Sequence, residues 1–195
     1  MVTHKDSARL KTRMRKMLPD AIAWSGVCYR STSTRYASSS DILTGVGSQI
    51  SGVRWNPLGS FPTVYLSLEP DTAFAEAFAH ISYFGFQPQD ALPRTFVATA
   101  VKLHQILDLT DQKVLKRLRL SRQMILHLDW RTKQDGGEEA LTQAIGRLAK
   151  EIGFEGLLVP SAAAKHGKNL IFFPGSLVHG SKAKVLNPQK LKPLH

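Results

Sequence analysis

The chain has 195 residues, 43% of them hydrophobic and 8% aromatic, a composition that suits one well-cored soluble domain. Its formal net charge of +11 points to an anionic partner: nucleic acid, a phosphate-bearing metabolite or an acidic protein. The single cysteine, Cys28, excludes an internal disulfide and a cysteine-rich zinc site and suits a reducing cytoplasm, and no apolar run reaches the ~18 residues of a membrane span.

From the N-terminus, Leu10, Met14, Met17 and Leu18 recur at helical spacing in a basic segment that Pro19-Asp20 stops, so residues 1–20 read as a loosely packed helical extension. AIAWSGVCYR then reads as a strand with Trp24, Cys28 and Arg30 on one side and Val27 and Tyr29 on the other. An arginine closing an otherwise buried strand needs an anion. Ser31 to Gly52 is polar, small and glycine-bearing, the composition of a flexible, lid-like loop, and its lone GxG lacks the frame of a dinucleotide fingerprint.

GVRWNPLGSFPTVYLSLEPDTAFAE, from Gly52 to Glu76, concentrates the chemistry. Arg54 lies in a Trp55-Asn56-Pro57 turn, and Tyr65 in a strand whose alternation sets Val64, Leu66 and Leu68 opposite Thr63, Tyr65 and Ser67. Glu76 follows in a helix opened by Pro70 and Asp71, whose predicted buried stripe is Phe74, Ala77, Phe78 and Ile81. Taken singly, the three read as a turn arginine, a half-buried strand residue and a surface charge. Together, a guanidinium, a phenol and a carboxylate on consecutive elements are placed to converge on one cleft.

Further on, RTFVATAV is a strand, Asp111 an N-cap for a short basic helix, and Asp135-Gly136-Gly137 a turn. A helix from Glu138 to Ile152 buries Leu141, Ile145, Leu148, Ala149 and Ile152, leaves Thr142 and Gln143 off the stripe, and stops at Gly153. Two strands, GLLVP and NLIFFP, flank a connector opened by Ser161, and a basic tail follows. Strands without a βαβ rhythm predict an α+β fold, a mixed or antiparallel sheet with flanking helices. The expected organisation is an extension at 1–20, a domain at 21–181 and a tail at 182–195.

In order, Tyr29-Arg30, the GxRWNPxG turn at Gly52–Gly59, VYLS at Val64–Ser67, Glu76, TQAIG at Thr142–Gly146, GLLVPSA at Gly156–Ala162 and NLIFFP at Asn169–Pro174 resemble the RES domain, the toxin component of RES/Xre toxin–antitoxin pairs. The resemblance implies an ADP-ribosyltransferase-like fold and an activity on NAD, with inorganic phosphate as the acceptor in some members and a protein in others. Carried over by position, it implies catalytic roles for Arg30, Tyr65 and Glu76, and NAD binding by Arg30, Arg54, Asn56, Tyr65, Ser161 and Asn169. It implies no metal, and as partner a helix-turn-helix antitoxin of Xre type that covers the active site and supplies any contact with DNA.

The chemistry of these side chains agrees with that expectation. Arginine's planar fork pairs bidentately with phosphate oxygens, so Arg30 and Arg54 are expected to clamp the NAD diphosphate. Cleaving the nicotinamide–ribose bond builds an oxocarbenium-like centre that a carboxylate such as Glu76 stabilises. Tyr65 is expected to stack on the nicotinamide or ribose, and Ser161 to orient by hydrogen bonding rather than act as a nucleophile, since no activating histidine sits in a known motif beside it. Two other readings stay open: a protein ADP-ribosyltransferase, and a non-enzymatic nucleic-acid binder, for which the chain has charge but no recognised reader motif.

Overall fold

The computed structural model describes residues 1–191, apart from the side chains of His80, Pro88 and Ala91. Its elements are α1 (Ser7–Arg15), β1 (Ile22–Ser33), α2 (Ser39–Thr44), α3 (Val46–Ser51), β2 (Val64–Ser67), α4 (Pro70–Tyr83), β3 (Arg94–Asp108), α5 (Gln112–Leu118), α6 (Arg122–Leu126), α7 (Trp130–Asp135), α8 (Leu141–Ile152), β4 (Gly156–Pro160), β5 (Lys168–Phe172) and β6 (Lys182–Val185). The strands run in the order β1-β2-β5-β4-β3-β6, and β1 also pairs with β3, so the first five close into a ring. β3 and β4 are parallel and the other pairs antiparallel, which makes this the mixed α+β sheet that the strand spacing predicts.

Two apolar clusters hold the ring. On one face Cys28, Val64, Leu66, Val101, Leu103, Ile106, Leu158, Leu170 and Phe172, drawn from all five ring strands, pack together. On the other, Leu107, Leu157, Val159 and Ile171 meet Leu10, Met14, Leu115, Leu118, Ile145 and Leu148 from α1, α5 and α8. Both faces of β2 are therefore covered: Val64 and Leu66 enter the first cluster and Tyr65 packs against the second.

The basic N-terminal segment is not loosely attached. Leu10, Met14 and Met17 are almost fully buried in the main core, each worth about 1.5–3 kcal/mol of apolar transfer. Lys11 bridges to Glu151, and Arg147 of α8 reaches Ser7 while pairing with the buried Glu139. The C-terminal segment beginning at 182, expected to be a tail, starts as β6 paired with β3; its last residues, 192–195, lie outside the described residues.

Two further expectations are corrected. The 31–52 stretch is not an open loop: β1 runs on to Ser33, and α2 and α3 follow, joined at Gly45, whose φ of 68° ends α2. Ser38 caps α2 by accepting from the Asp41 N–H, and a Cβ at Gly45 would lie 2.5 Å from the backbone of Thr63, so only glycine allows this approach. In α4 the buried face is not the aromatic one. Thr72 and Ala73 are buried whereas Phe74 is 51% exposed, because α4 lies close over β1 and β2 and small side chains permit that approach.

Candidate functional site

Glu76 is the centre of the arrangement. Its Oε1 accepts from Ser161 Oγ at 2.7 Å and from Asn169 Nδ2 at 2.6 Å. The sheet register sets the second donor: Ser67 on β2 stands opposite Asn169 on β5, and Ser67 Oγ donates to Asn169 Oδ1 at 2.8 Å, which turns the amide nitrogen toward Glu76. Ser161, at the end of β4, accepts in turn from the Ala163 and Ala164 N–H groups. Both donors use Oε1, and among the described residues none donates to Oε2.

The turn from Val53 to Asn56 forms the next wall. Tyr65 Oη donates to Asn56 Oδ1 at 2.8 Å and accepts from the Trp55 N–H at 3.1 Å, while Asn56 Nδ2 donates to the Ser48 carbonyl at 2.7 Å. Burial pushes the Tyr65 phenol far above its ordinary value, so it stays a neutral donor. The turn is backed by α8: Gln143 Nε2 donates to the Val53 carbonyl, and a Cβ on Gly146 would lie 1.8 Å from the Trp55 carbonyl oxygen. The polar side of α8, off its aliphatic stripe, thus carries the turn that holds Arg54 and Tyr65.

Two cavities meet at Glu76. The first, about 250 Å³, is lined by Arg54, Trp55, Tyr83, Trp130 and Arg131. The second, about 330 Å³, is lined by Tyr29, Arg30, Ser31, Ser48 and Ser67. Val53, Tyr65, Glu76 and Asn169 line both, so they are two lobes of one cleft with the carboxylate between them.

The arginines therefore occupy different lobes. Arg54 Nη1 donates to the Ile125 carbonyl at 2.8 Å, at the end of α6, which anchors the guanidinium at the wall of the first lobe. Burial pulls Arg54 below its ordinary value, and the nearby Glu76 opposes that. Arg30 Nη1 donates to the Ile42 carbonyl, and both burial and neighbouring Arg94 disfavour its charge. Arg131 lies over the rings of Tyr83 at 4.0 Å and Trp130 at 4.5 Å.

Of the residues expected at the site, Arg30, Arg54, Tyr65, Glu76 and Asn169 line the cleft. Asn56 is not among the lining residues: it is 0% exposed and braces Tyr65 and Ser48. Ser161 is 4% exposed and addresses Glu76, so its reach to a ligand is through that carboxylate. Arg131, Trp130 and Tyr83 were not foreseen, since one cation at the start of a six-residue helix carries no spacing signal. Among the described residues no group of three or more His, Cys, Asp or Glu is placed to hold a metal.

A closed mixed sheet with flanking helices, and a cleft pairing one carboxylate with arginine-bearing lobes, define a small α+β protein built to receive an anionic ligand. The chain belongs to the RES domain family, whose model matches residues 27–191. It is 29% identical over 148 residues to the NAD(+) phosphorylase MbcT of Mycobacterium tuberculosis and of Mycobacterium bovis, across 72% of this chain and 70% of theirs. A chain in the crystal structure of the M. tuberculosis MbcT–MbcA toxin–antitoxin complex shares the fold, with a TM-score of 0.67 at 24% identity over 93% of this chain and 98% of that one.

Proposed function

We propose that this protein is the toxin enzyme of a toxin–antitoxin pair, cleaving NAD at the nicotinamide–ribose bond with inorganic phosphate as acceptor. The observation that carries this reading is Glu76, held by Ser161 and Asn169 at the junction of two lobes. As nicotinamide departs, positive charge develops on the sugar, and a fixed carboxylate stabilises it without reorganising. Trp130, Tyr83 and the Tyr65 ring offer surfaces for the flat groups of a dinucleotide, and Arg54 and Arg131 offer cations for its diphosphate. The relatives named NAD(+) phosphorylase support the same reaction.

Phosphorolysis also balances simply. A phosphate oxygen forms the bond to the ribose carbon as the carbon–nitrogen bond breaks, and its electron pair neutralises the pyridinium nitrogen. The hydrogen phosphate dianion keeps its proton throughout, so this acceptor needs no general base, whereas water would.

The partner we infer is an antitoxin of the Xre helix-turn-helix type that covers the cleft and supplies any DNA contact. The fold shared with a toxin of known complex supports a protein partner, as do the exposed rings of Tyr83 and Phe84 beside the first lobe. The buried lone cysteine agrees with action in the cytoplasm. Mass analysis of NAD incubated with the protein tests the reaction. Free nicotinamide and phosphorylated ADP-ribose are expected with phosphate. Intact NAD under both conditions refutes cleavage, and label carried from NAD onto protein assigns ADP-ribosyl transfer instead.

A further inference from the structure

The two lobes differ in chemistry. The first is aromatic and cationic, matched to a large planar ligand carrying phosphates. The second, although not the smaller in volume, has a different lining: a largely buried guanidinium, serine hydroxyls and no indole. Among the described residues neither Arg30 nor its neighbour Arg94 forms a salt bridge. Two nearby guanidinium groups, one withdrawn from water, lack the counter-charge that such burial requires.

Arg30 and Ser31 both line this lobe. Arg30 spends Nη1 on the Ile42 carbonyl, which leaves the rest of its fork. Ser31 Oγ accepts from Arg94 Nε at 2.7 Å, and the Ser31 carbonyl accepts from Arg94 Nη2 at 3.1 Å. The Ser31 hydroxyl proton is donated to no partner among the described residues. Arg94 thus orients Ser31 as a donor and adds positive charge behind it.

Resting on the NAD-phosphorolysis reading above, we propose that the Arg30 lobe is the acceptor site, binding inorganic phosphate through Arg30 and Ser31, while the dinucleotide occupies the Arg54 lobe. Expectation from sequence put both arginines on one diphosphate; their separation into lobes that meet at Glu76 reassigns Arg30. Attack on a sugar carbon comes from the face opposite the leaving group, so donor and acceptor belong on two sides of the carboxylate that stabilises the carbon. A dianion also answers two guanidinium groups that form no salt bridge among the described residues, and water does not.

Initial rates with NAD and phosphate both varied test this. Arg30→Met is expected to raise the KM for phosphate about 10- to 100-fold, as lost charge-assisted hydrogen bonds do, while the KM for NAD moves less than about threefold. Arg30→Lys should recover part of the loss. In the unmutated protein sulfate should inhibit competitively against phosphate and not against NAD, a result that requires no variant to fold. A KM for NAD that rises with that for phosphate, or sulfate competing with NAD alone, overturns the assignment and returns Arg30 to the diphosphate. If the protein leaves NAD intact, the reading of the reaction fails by itself. Calorimetric titration with inorganic phosphate then decides the lobe: binding that Arg30→Met abolishes supports it, and its absence from the unmutated protein refutes it.

Discussion

Gly146→Ala isolates the contact on which the site's geometry depends. The added Cβ would sit 1.8 Å from the Trp55 carbonyl oxygen and 2.8 Å from its carbon, where ordinary contacts begin near 3.4 Å. Both obstacles are backbone, so α8 and the Trp55 turn must part by more than about 1 Å in a close-packed interior. Alanine's better helix propensity returns up to about 1 kcal/mol, and overpacking costs about 1–3 kcal/mol or more, so destabilisation wins. With a backbone clash this deep the cost lies at the upper end, leaving a net loss of about 2 kcal/mol, which for a chain of this size is a fall in Tm of about 4–8 °C. The same displacement moves the Trp55 N–H and Asn56 away from the Tyr65 hydroxyl, and a misplacement of about 1 Å costs on the order of 100-fold in turnover. Thermal unfolding followed by circular dichroism, together with NAD consumption at saturating phosphate, reads both effects. A folded variant with unmoved Tm and full turnover would show that the helix and the turn do not hold each other.

Glu76→Gln keeps the shape and an Oε1 acceptor for Ser161 and Asn169, so Tm should hold within about 2 °C while kcat falls on the order of 100-fold or more; full growth arrest by the folded variant contradicts the carboxylate's role. Tyr65→Phe strands the Trp55 N–H and Asn56 Oδ1, both buried, and should cost about 1–3 kcal/mol in urea unfolding, an unchanged midpoint being the contrary result. Arg54→Lys cannot both hold the Ile125 carbonyl and offer a fork, so the KM for NAD should rise about 10-fold or more, and an unaltered KM removes Arg54 from the diphosphate. Ser67→Ala frees the Asn169 amide to turn, and should lower kcat with little change in the KM for NAD; equal loss of Tm and kcat would mark Ser67 as merely structural.

Strands and the long C-terminal helix were legible because their signals are periodic. VYLS, GLLVP and NLIFFP alternate or run apolar between glycine and proline boundaries, and each forms a strand. α8 ends at Gly153, which adopts φ 109° as the predicted C-cap. The face of α4 was misread because hydrophobicity does not report distance. Phe74 and Phe78 pack on each other with ring centroids 4.2 Å apart, and Phe74 stacks on Phe96, while the smaller Thr72 and Ala73 take the close approach. Segments as short as α2 and α3 give too few residues for a period, so their caps were the only signal. Arg131 was invisible for the same reason, and its place beside Tyr83 depends on chain segments nearly fifty residues apart.

The charge of the chain and the charge of the site obey different demands. A surplus of cations attracts anions to the surface, yet cationic groups beside a sugar that is becoming positive oppose the reaction. The fold reconciles the two by distance and register. Arg54 and Arg131 line one lobe and Arg30 the other, and Glu76, the lone carboxylate among the cleft-lining residues, stands at the junction, where the proposed reaction puts the sugar. That carboxylate comes from a helix whose buried face is small, so it can lie close over β1 and β2, and its direction is set by Asn169 and Ser161, with no salt bridge to Glu76 among the described residues. A direct Arg–Glu pair would neutralise the group that stabilises the transition state, and neutral donors leave its charge available to the substrate.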